Sequence, residues 1–209
     1  APRGSFYEVA VKWAGQWPRP QQYGVKARFV NLGVKPVGQL PGFAGVSGSI
    51  DGNERGGTVL LSMQNAAVEL PLVFQDKLTF DSFTAQAGWQ RNGEQYDIRF
   101  NDISFSNRDI AGSVTGAFQT AADGPGVIDL TGRATRADLR SVGRYVPLRI
   151  GERARQWMAT SIAGGASNEV TMRLKGNLHE FPFPEGRGGQ FQVAARVQDG
   201  ALDYSAGWP

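Results

Sequence analysis

The sequence predicts a mainly β protein, one run of antiparallel strands in hairpin order with a short helical pair inserted around residues 137–162. Three observations predict it. Stretch after stretch alternates apolar with polar residues, the period of a strand with one buried face. Among 209 residues there are 28 Gly and 11 Pro, which supply turns between such strands. Only one region breaks the alternation: Ile150, Ala154, Trp157 and Met158 fall at i, i+4, i+7 and i+8, a helical stripe.

The elements follow in order. Tyr7, Val9, Val11 and Trp13 alternate, as do Tyr23, Val25, Ala27 and Phe29. A fold-back over 15–20 sets Trp13 opposite Tyr23, Val11 opposite Val25 and Tyr7 opposite Phe29, all on one face. Leu40 to Gly48 connects to a strand whose Val46 and Ile50 return as Val59 and Met63 beyond the turn-rich segment 51–57. Phe83, Ala85, Ala87 and Trp89 then lead to Asn92-Gly93, the signature of a two-residue I′ turn. That loop would place Arg91 opposite Glu94, Trp89 opposite Tyr96, Ala87 opposite Ile98 and Ala85 opposite Phe100. The parity changes at Ile103 and Phe105, so a bulge is expected near Asn101-Asp102. Ile110, Val114 and Phe118 run to the turn at 123–126, and Ile128 and Leu130 resume. A short helix over Ala137–Tyr145 must stop before Pro147. Val170, Met172 and Leu174, then Phe191, Val193, Ala195 and Val197, give further strands around a loop containing Phe181-Pro182-Phe183-Pro184. Leu202, Tyr204 and Trp208 begin a last one. The total is ten or more strands, with the helical pair packed on a sheet edge or closing one end.

The composition is that of a folded chain: 41% hydrophobic and 11% aromatic residues. No linker marks a boundary, so residues 1–209 read as a single β-rich segment: a β half (1–134), a helical insert (135–162) and a second β half (163–209). A net charge of +3 gives no argument for nucleic acid, because no Lys/Arg cluster alternates with exposed aromatics. The absence of cysteine excludes disulfides and thiolate metal sites. No apolar run approaches the roughly 20 residues of a membrane-spanning helix. The sequence begins at Ala1 without Met and ends within Gly207-Trp208-Pro209, as a piece of something longer would.

Catalytic constellations are scarce. His179 is the only histidine and stands beside Glu180 with no nucleophile motif, so a solvent-facing loop histidine is expected. Asp51-x-Asn53-x-Arg55 starts like a calcium loop, but a cation at its fifth position would repel the ion. Asp102 and Asp109 could form a glycosidase-like carboxylate pair, or could equally occupy turn and edge positions. No catalytic residue, metal ligand or cofactor site is assigned. What remains is apolar surface, which a single sheet must cover with another sheet, with helices, by curling, or with a ligand.

A series of short motifs runs in order along nearly the whole chain. It comprises Pro41-Gly42-Phe43-Ala44-Gly45-Val46-Ser47-Gly48, Leu70-Pro71 with Phe74, Trp89, Asn107-Arg108-Asp109, and Arg144-Tyr145-Val146-Pro147 with Arg155-Gln156-Trp157-Met158. Phe181-Pro182-Phe183, Gly188-Gly189-Gln190-Phe191, Leu202-Asp203-Tyr204 and Gly207-Trp208-Pro209 complete it. The chain resembles an internal piece of the YhdP-type proteins of the AsmA-like/TamB group. The resemblance implies a curled antiparallel sheet forming an apolar groove, and a Gram-negative envelope protein in the periplasm. An anchor absent from this sequence would attach it to the inner membrane. It implies phospholipid as the partner, carried between inner and outer membranes without catalysis, with other envelope proteins as further partners.

On that expectation Phe83, Trp89, Ile98, Phe100, Val114, Phe118, Val170, Met172, Leu174, Phe191 and Val193 line the groove. Ile150, Ala154, Trp157 and Met158 belong to a helical cap or gate. The alternative is a closed β-sandwich, a structural or docking module in which the same side chains are sealed core.

Overall fold

The computed structural model describes residues 3–16, 18, 21–37 and 41–203. The alternating runs become β1 (Arg3–Ala14), β2 (Gln22–Val34), β3 (Gly42–Asn53), β4 (Gly56–Glu69), β5 (Leu78–Asn92), β6 (Gln95–Ser106), β7 (Ile110–Gln119) and β8 (Val127–Asp138). A 3-10 helix over Leu139–Tyr145 and α1 (Glu152–Ser161) form the expected insert. Then come β9 (Ile162–Ser167), β10 (Val170–Asn177), β11 (Gly189–Ala195) and β12 (Gln198–Leu202). Tyr204 and Trp208, expected in the last strand, lie outside the described residues.

All twelve strands join one open antiparallel sheet. Its order is β1 to β8, then β10 and β11, while β9 pairs with the end of β8 and β12 with β9. A closed sandwich needs two stacked sheets. Here strands pack chiefly beside their hydrogen-bonded neighbours, and the sandwich alternative does not describe this chain.

The registers refine the expected hairpins. Trp13 faces Tyr23 and Val11 faces Val25, as alternation requires, but Tyr7 faces Arg28 and it is Phe6 that meets Phe29. The reason is a bulge between Tyr7 and Ala10, with Glu8 at a left-handed φ of 52°. Ile50 returns opposite Val59 as expected. In the β5–β6 hairpin Asn92 stays in the ladder opposite Gln95, so the loop is Gly93-Glu94 and not Asn92-Gly93. Gly93 takes a φ of 64°, the glycine-first form of a two-residue turn. Trp89 therefore faces Ile98, and Ala87 faces Phe100. The slip is two residues, so every side chain keeps its face. Arg91 and Glu94 still approach to 3.5 Å at the turn. The bulge expected at Asn101-Asp102 is present: Gln86 faces Asp102 and Ala87 faces Phe100.

Three neighbouring strands carry a left-handed residue in mid-strand: Asn31 (55°), Gly45 (77°) and Asn65 (52°). Each interrupts the two-residue alternation. This brings Phe29, Val46, Met63 and Ala66 into one buried cluster, flanked by Leu32, Phe43, Ile50, Leu61 and Phe83.

A one-sided apolar face and the strap across it

Directly paired residues in a sheet project to the same face, so the registers can be followed from strand to strand. One row runs Val11, Val25, Gly52, Gly57, Trp89, Ile98, Phe118, Ile128, Gly176, Gly189, across the ten strands from β1 to β11. The next runs Ile50, Val59, Ala87, Phe100, Gly116, Leu130, Leu174, Phe191. A third runs Gly48, Leu61, Ala85, Ile103, Val114, Gly132, Met172, Val193. A fourth runs Met63, Phe83, Phe105, Gly112, Ala134, Val170, Ala195. These rows contain all eleven sequence-predicted lining residues. No charged or amide side chain interrupts them. Most of their members are half-buried, sheltered by neighbours on the same face, and Val193 near the far edge is 57% exposed.

Aromatic rings fill the places where the rows fall to glycine. A Cβ on Gly57 would lie 2.5 Å from the Trp89 ring, and one on Gly189 would lie 2.5 Å from that of Phe183. Phe183 is 4% exposed and stacks edge-on to Phe181, which in turn contacts Phe191 at 5.2 Å between ring centres. Sequence reasoning missed Phe183 as part of this face, because a loop residue between two prolines carries no strand parity. The paired glycines at 176 and 189 were the available signal.

The opposite face is polar. Lys26, Asp51, Thr58, Gly88, Arg99, Ala117, Asp129, Lys175 and Gln190 form one of its rows. Ion pairs cross it from Lys26 to Asp51 (3.4 Å), from Arg173 to Asp129, and from Lys175 to Asp129 (3.5 Å). The Arg173 hydrogen bond is the main reason the Asp129 carboxyl sits below the usual carboxylate range. Furrows lie on this side, one of about 650 Å³ along Gly88, Gln90, Asp97, Arg99, Gln119 and Asp129. Each is walled by two polar-face rows and floored by the backbone between, as in the one lined by Ser82, Thr84, Ser104, Ser113 and Arg133.

The insert ties both ends of the strands together. At one end Asp109, its side chain 7% exposed, accepts from Arg144 Nη1 (2.9 Å) and Arg108 Nε (3.2 Å). Asn107 Nδ2 donates to the Tyr145 hydroxyl (2.9 Å) and to the Thr79 carbonyl (2.8 Å). Its Oδ1 accepts from the backbone N–H groups of Asp109 and Ile110 (2.9 Å each). Burial holds the Tyr145 hydroxyl above its ordinary pKa. Beyond this knot the Leu148 N–H donates to the Val73 carbonyl (2.8 Å), in the β4–β5 loop. Arg149 Nη1 then donates to the Leu178 carbonyl (2.9 Å), at the opposite end of β10. Val146 is buried and Leu148 and Ile150 are half-buried. Residues 146–151 thus form a strap between the two strand ends.

Of the expected gate residues, Ile150 and Met158 are half-buried while Ala154 and Trp157 (47%) are exposed. Arg155 occupies part of the inward side of α1, donating to Gln75 Oε1 (3.3 Å). The candidate chemistry resolves differently. Asp109 is committed to two arginines, whereas Asp102 is exposed in the β6 bulge and accepts from Ser104. His179 is exposed, and Asp51 pairs with Lys26. Among the described residues no group of three metal-ligating side chains converges, and no helix is long and apolar enough to cross a membrane.

A family model described as YhdP protein matches residues 1–209, the whole chain. The chain belongs to the YhdP family. A curated YhdP relative, the intermembrane phospholipid transporter of Escherichia coli (strain K12), is 26% identical over 198 residues. That match covers 91% of this chain but 15% of the relative's length. No solved structure matches. The family membership and the single open sheet agree with what the motif series implied.

Proposed function

We propose that this chain is a non-enzymatic segment of a phospholipid-transfer protein, and that its apolar face carries acyl chains between the inner and outer membranes. The observation that supports this most is the continuity of the apolar rows, one across ten strands and three across seven or eight, with no second sheet over them among the described residues. Exposing a chain of about 16 carbons to water costs roughly 13 kcal/mol, at about 0.8 kcal/mol per CH₂. A continuous apolar surface removes most of that barrier without bond chemistry. It must also lack deep pockets, which would trap the lipid; Ala and Gly interspersed along the rows keep it shallow.

The sheet curls about this face into a groove, its axis running along the rows and its rims formed by the strand ends. Hydrogen bonds from one insert to both strand ends support the curl. The segment works in the periplasm as part of a bridge anchored in the inner membrane outside these residues. The activity named for the relative supports phospholipid as cargo. The test is mass spectrometry of lipid co-purifying with the folded chain. Ile98→Asp and Met172→Asp should abolish it while leaving the circular dichroism of the sheet intact. Lipid content equal to wild type in both variants would contradict the assignment of the face.

A further inference from the structure

The four apolar rows end differently on β10 and β11. The first row falls there to Gly176 and Gly189, which pair directly. A Cβ on Gly176 would lie 2.9 Å from the Phe183 ring, and one on Gly189 would lie 2.5 Å from it, so a single ring fills the space of two side chains. At 4% exposure Phe183 has further groups over it. Phe181 is among them, edge-on at 5.7 Å between ring centres, and it also meets Phe191 of the second row. Trp89 offers the contrast. Its ring likewise lies against a glycine pair, Gly52 and Gly57, but stays half-buried, so one layer levels the surface there. The cover at β10 and β11 is thicker. The third and fourth rows of the same hairpin are open, with Val193 57% exposed and Ala195 exposed. The backbone fixes the aim of Phe183: its N–H donates to the Glu180 carbonyl (2.8 Å) and its carbonyl accepts from the Gly186 N–H (2.9 Å). Its φ of 62° is uncommon for a phenylalanine, and the packing of the ring offsets that cost.

We propose that Phe181 and Phe183 form a fixed aromatic step that closes the first row at β10 and β11 and turns acyl chains toward the third and fourth rows. This rests on the reading of the apolar face as the acyl surface and adds the path the tails take at one end of it. A tail lying along Phe118 and Ile128 of the first row meets the step at the next strand. To continue straight it must displace a buried ring, which returns apolar surface to water. On the third row it meets the exposed Val193 instead and gains burial. Phe181 is half-buried and is the ring a tail can rest against. Phe183 acts through it, as the positioning residue beneath. The groove is thereby narrowed at this end by apolar groups alone, without a pocket that would hold the lipid.

The test places benzoylphenylalanine, one per chain, at Phe181, Phe183, Ile128 or Val193 of the 209-residue protein, and irradiates it with dipalmitoylphosphatidylcholine. Lipid adducts are expected from positions 181, 128 and 193 and not from position 183, whose ring lies against the glycines. Phe181→Ala with Phe183→Ala should let tails continue along the first row. The ratio of adducts at Ile128 to those at Val193 should then rise about tenfold while the circular dichroism stays that of the parent chain. Phe183→Leu, which keeps apolar filling over the glycines, should raise it less. Adducts from position 183 as strong as those from 181 would overturn the proposal, since the ring would then lie in the lipid path. So would an unchanged ratio in the folded double variant. Should that variant fail to fold, the contrast between positions 181 and 183 decides, because benzoylphenylalanine keeps the phenylalanine ring. Adducts from Ile98 with none from Phe181 and Val193 would overturn the step alone. Absence of adducts from Ile98 as well would sink the reading of the face, and the step with it.

Discussion

The two halves of the apolar face are built differently. Across β2 to β5, left-handed residues at Asn31, Gly45 and Asn65 turn Phe29, Val46, Met63 and Ala66 onto one another, and Ala66 is 1% exposed. That half seals itself. Across β7 and β8 the same face is low, with Gly112, Gly116, Gly132 and Ala134 alternating with Val114, Phe118, Ile128 and Leu130. Its neighbours β10 and β11 are short, and a strap reaches from Asp109 to Leu178. The first half holds a buried cluster, while the apolar side chains of the second, Val114, Phe118, Ile128 and Leu130, are only half-buried.

The sharpest way to break that contrast is to place the same charge in each half. Met63→Asp puts an unpaired carboxylate into the sealed cluster and should cost about 4 kcal/mol or more, enough to unfold a marginal sheet. Met172→Asp should leave a cooperative urea transition near that of wild type. If both variants unfold alike, the second half is sealed core as well.

A smaller effect is expected at the knot. Asp109→Ala leaves Arg144 and Arg108 without their carboxylate. Because both arginines are largely solvent-exposed, the cost should be about 1–3 kcal/mol. It should appear locally, as proteolytic cleavage within residues 146–151 before the sheet melts. Cleavage at the wild-type rate would show that the knot does not hold the strap.

Tyr145→Phe should cost about 1 kcal/mol through the lost Asn107 contact. In the wild type, burial raises the Tyr145 pKa. The strap should therefore be stable below the unfolded value of about 10 and loosen as pH rises through the higher folded one. Amide exchange of residues 146–151 at alkaline pH reads this directly, and Tyr145→Phe should remove the dependence.

The smallest effect lies on the polar face and at the start of the insert. The Arg173 hydrogen bond lowers the Asp129 pKa and the Arg140 hydrogen bond lowers that of Asp138. Their stabilisation is present above the unfolded value near 4 and fades as pH falls through the folded values. Asp129→Asn with Asp138→Asn should flatten the acid limb of thermal stability slightly and leave lipid content untouched.

Much of this was legible in the sequence, and the limits have physical causes. Strand parity placed all eleven candidate residues on one face because a period of two is insensitive to register slips of two. For the same reason it could not separate Trp89 opposite Tyr96 from Trp89 opposite Ile98. Tyr7 was misplaced because Glu8 adopts a left-handed φ, which side chains of its kind rarely announce. Asn31 and Asn65 were fairer signals, since asparagine tolerates that conformation. The helical stripe was visible, but Trp157 and Ala154 are exposed and Arg155 half-buried. Spacing reports an amphipathic face, not which tertiary surface will cover it. The crossing from Asp109 to Leu178 depends on how the sheet bends, which no local pattern encodes.

The most direct measurement is photo-crosslinking with benzoylphenylalanine placed at Ile98 and Leu174 on the apolar face, and at Arg99 and Lys175 on the polar one. These positions alternate along β6 and β10, so each pair differs only in the side of the sheet it samples. The account predicts phospholipid adducts from Ile98 and Leu174 and none from Arg99 or Lys175. Adducts from both faces alike, or from neither apolar position, would contradict it.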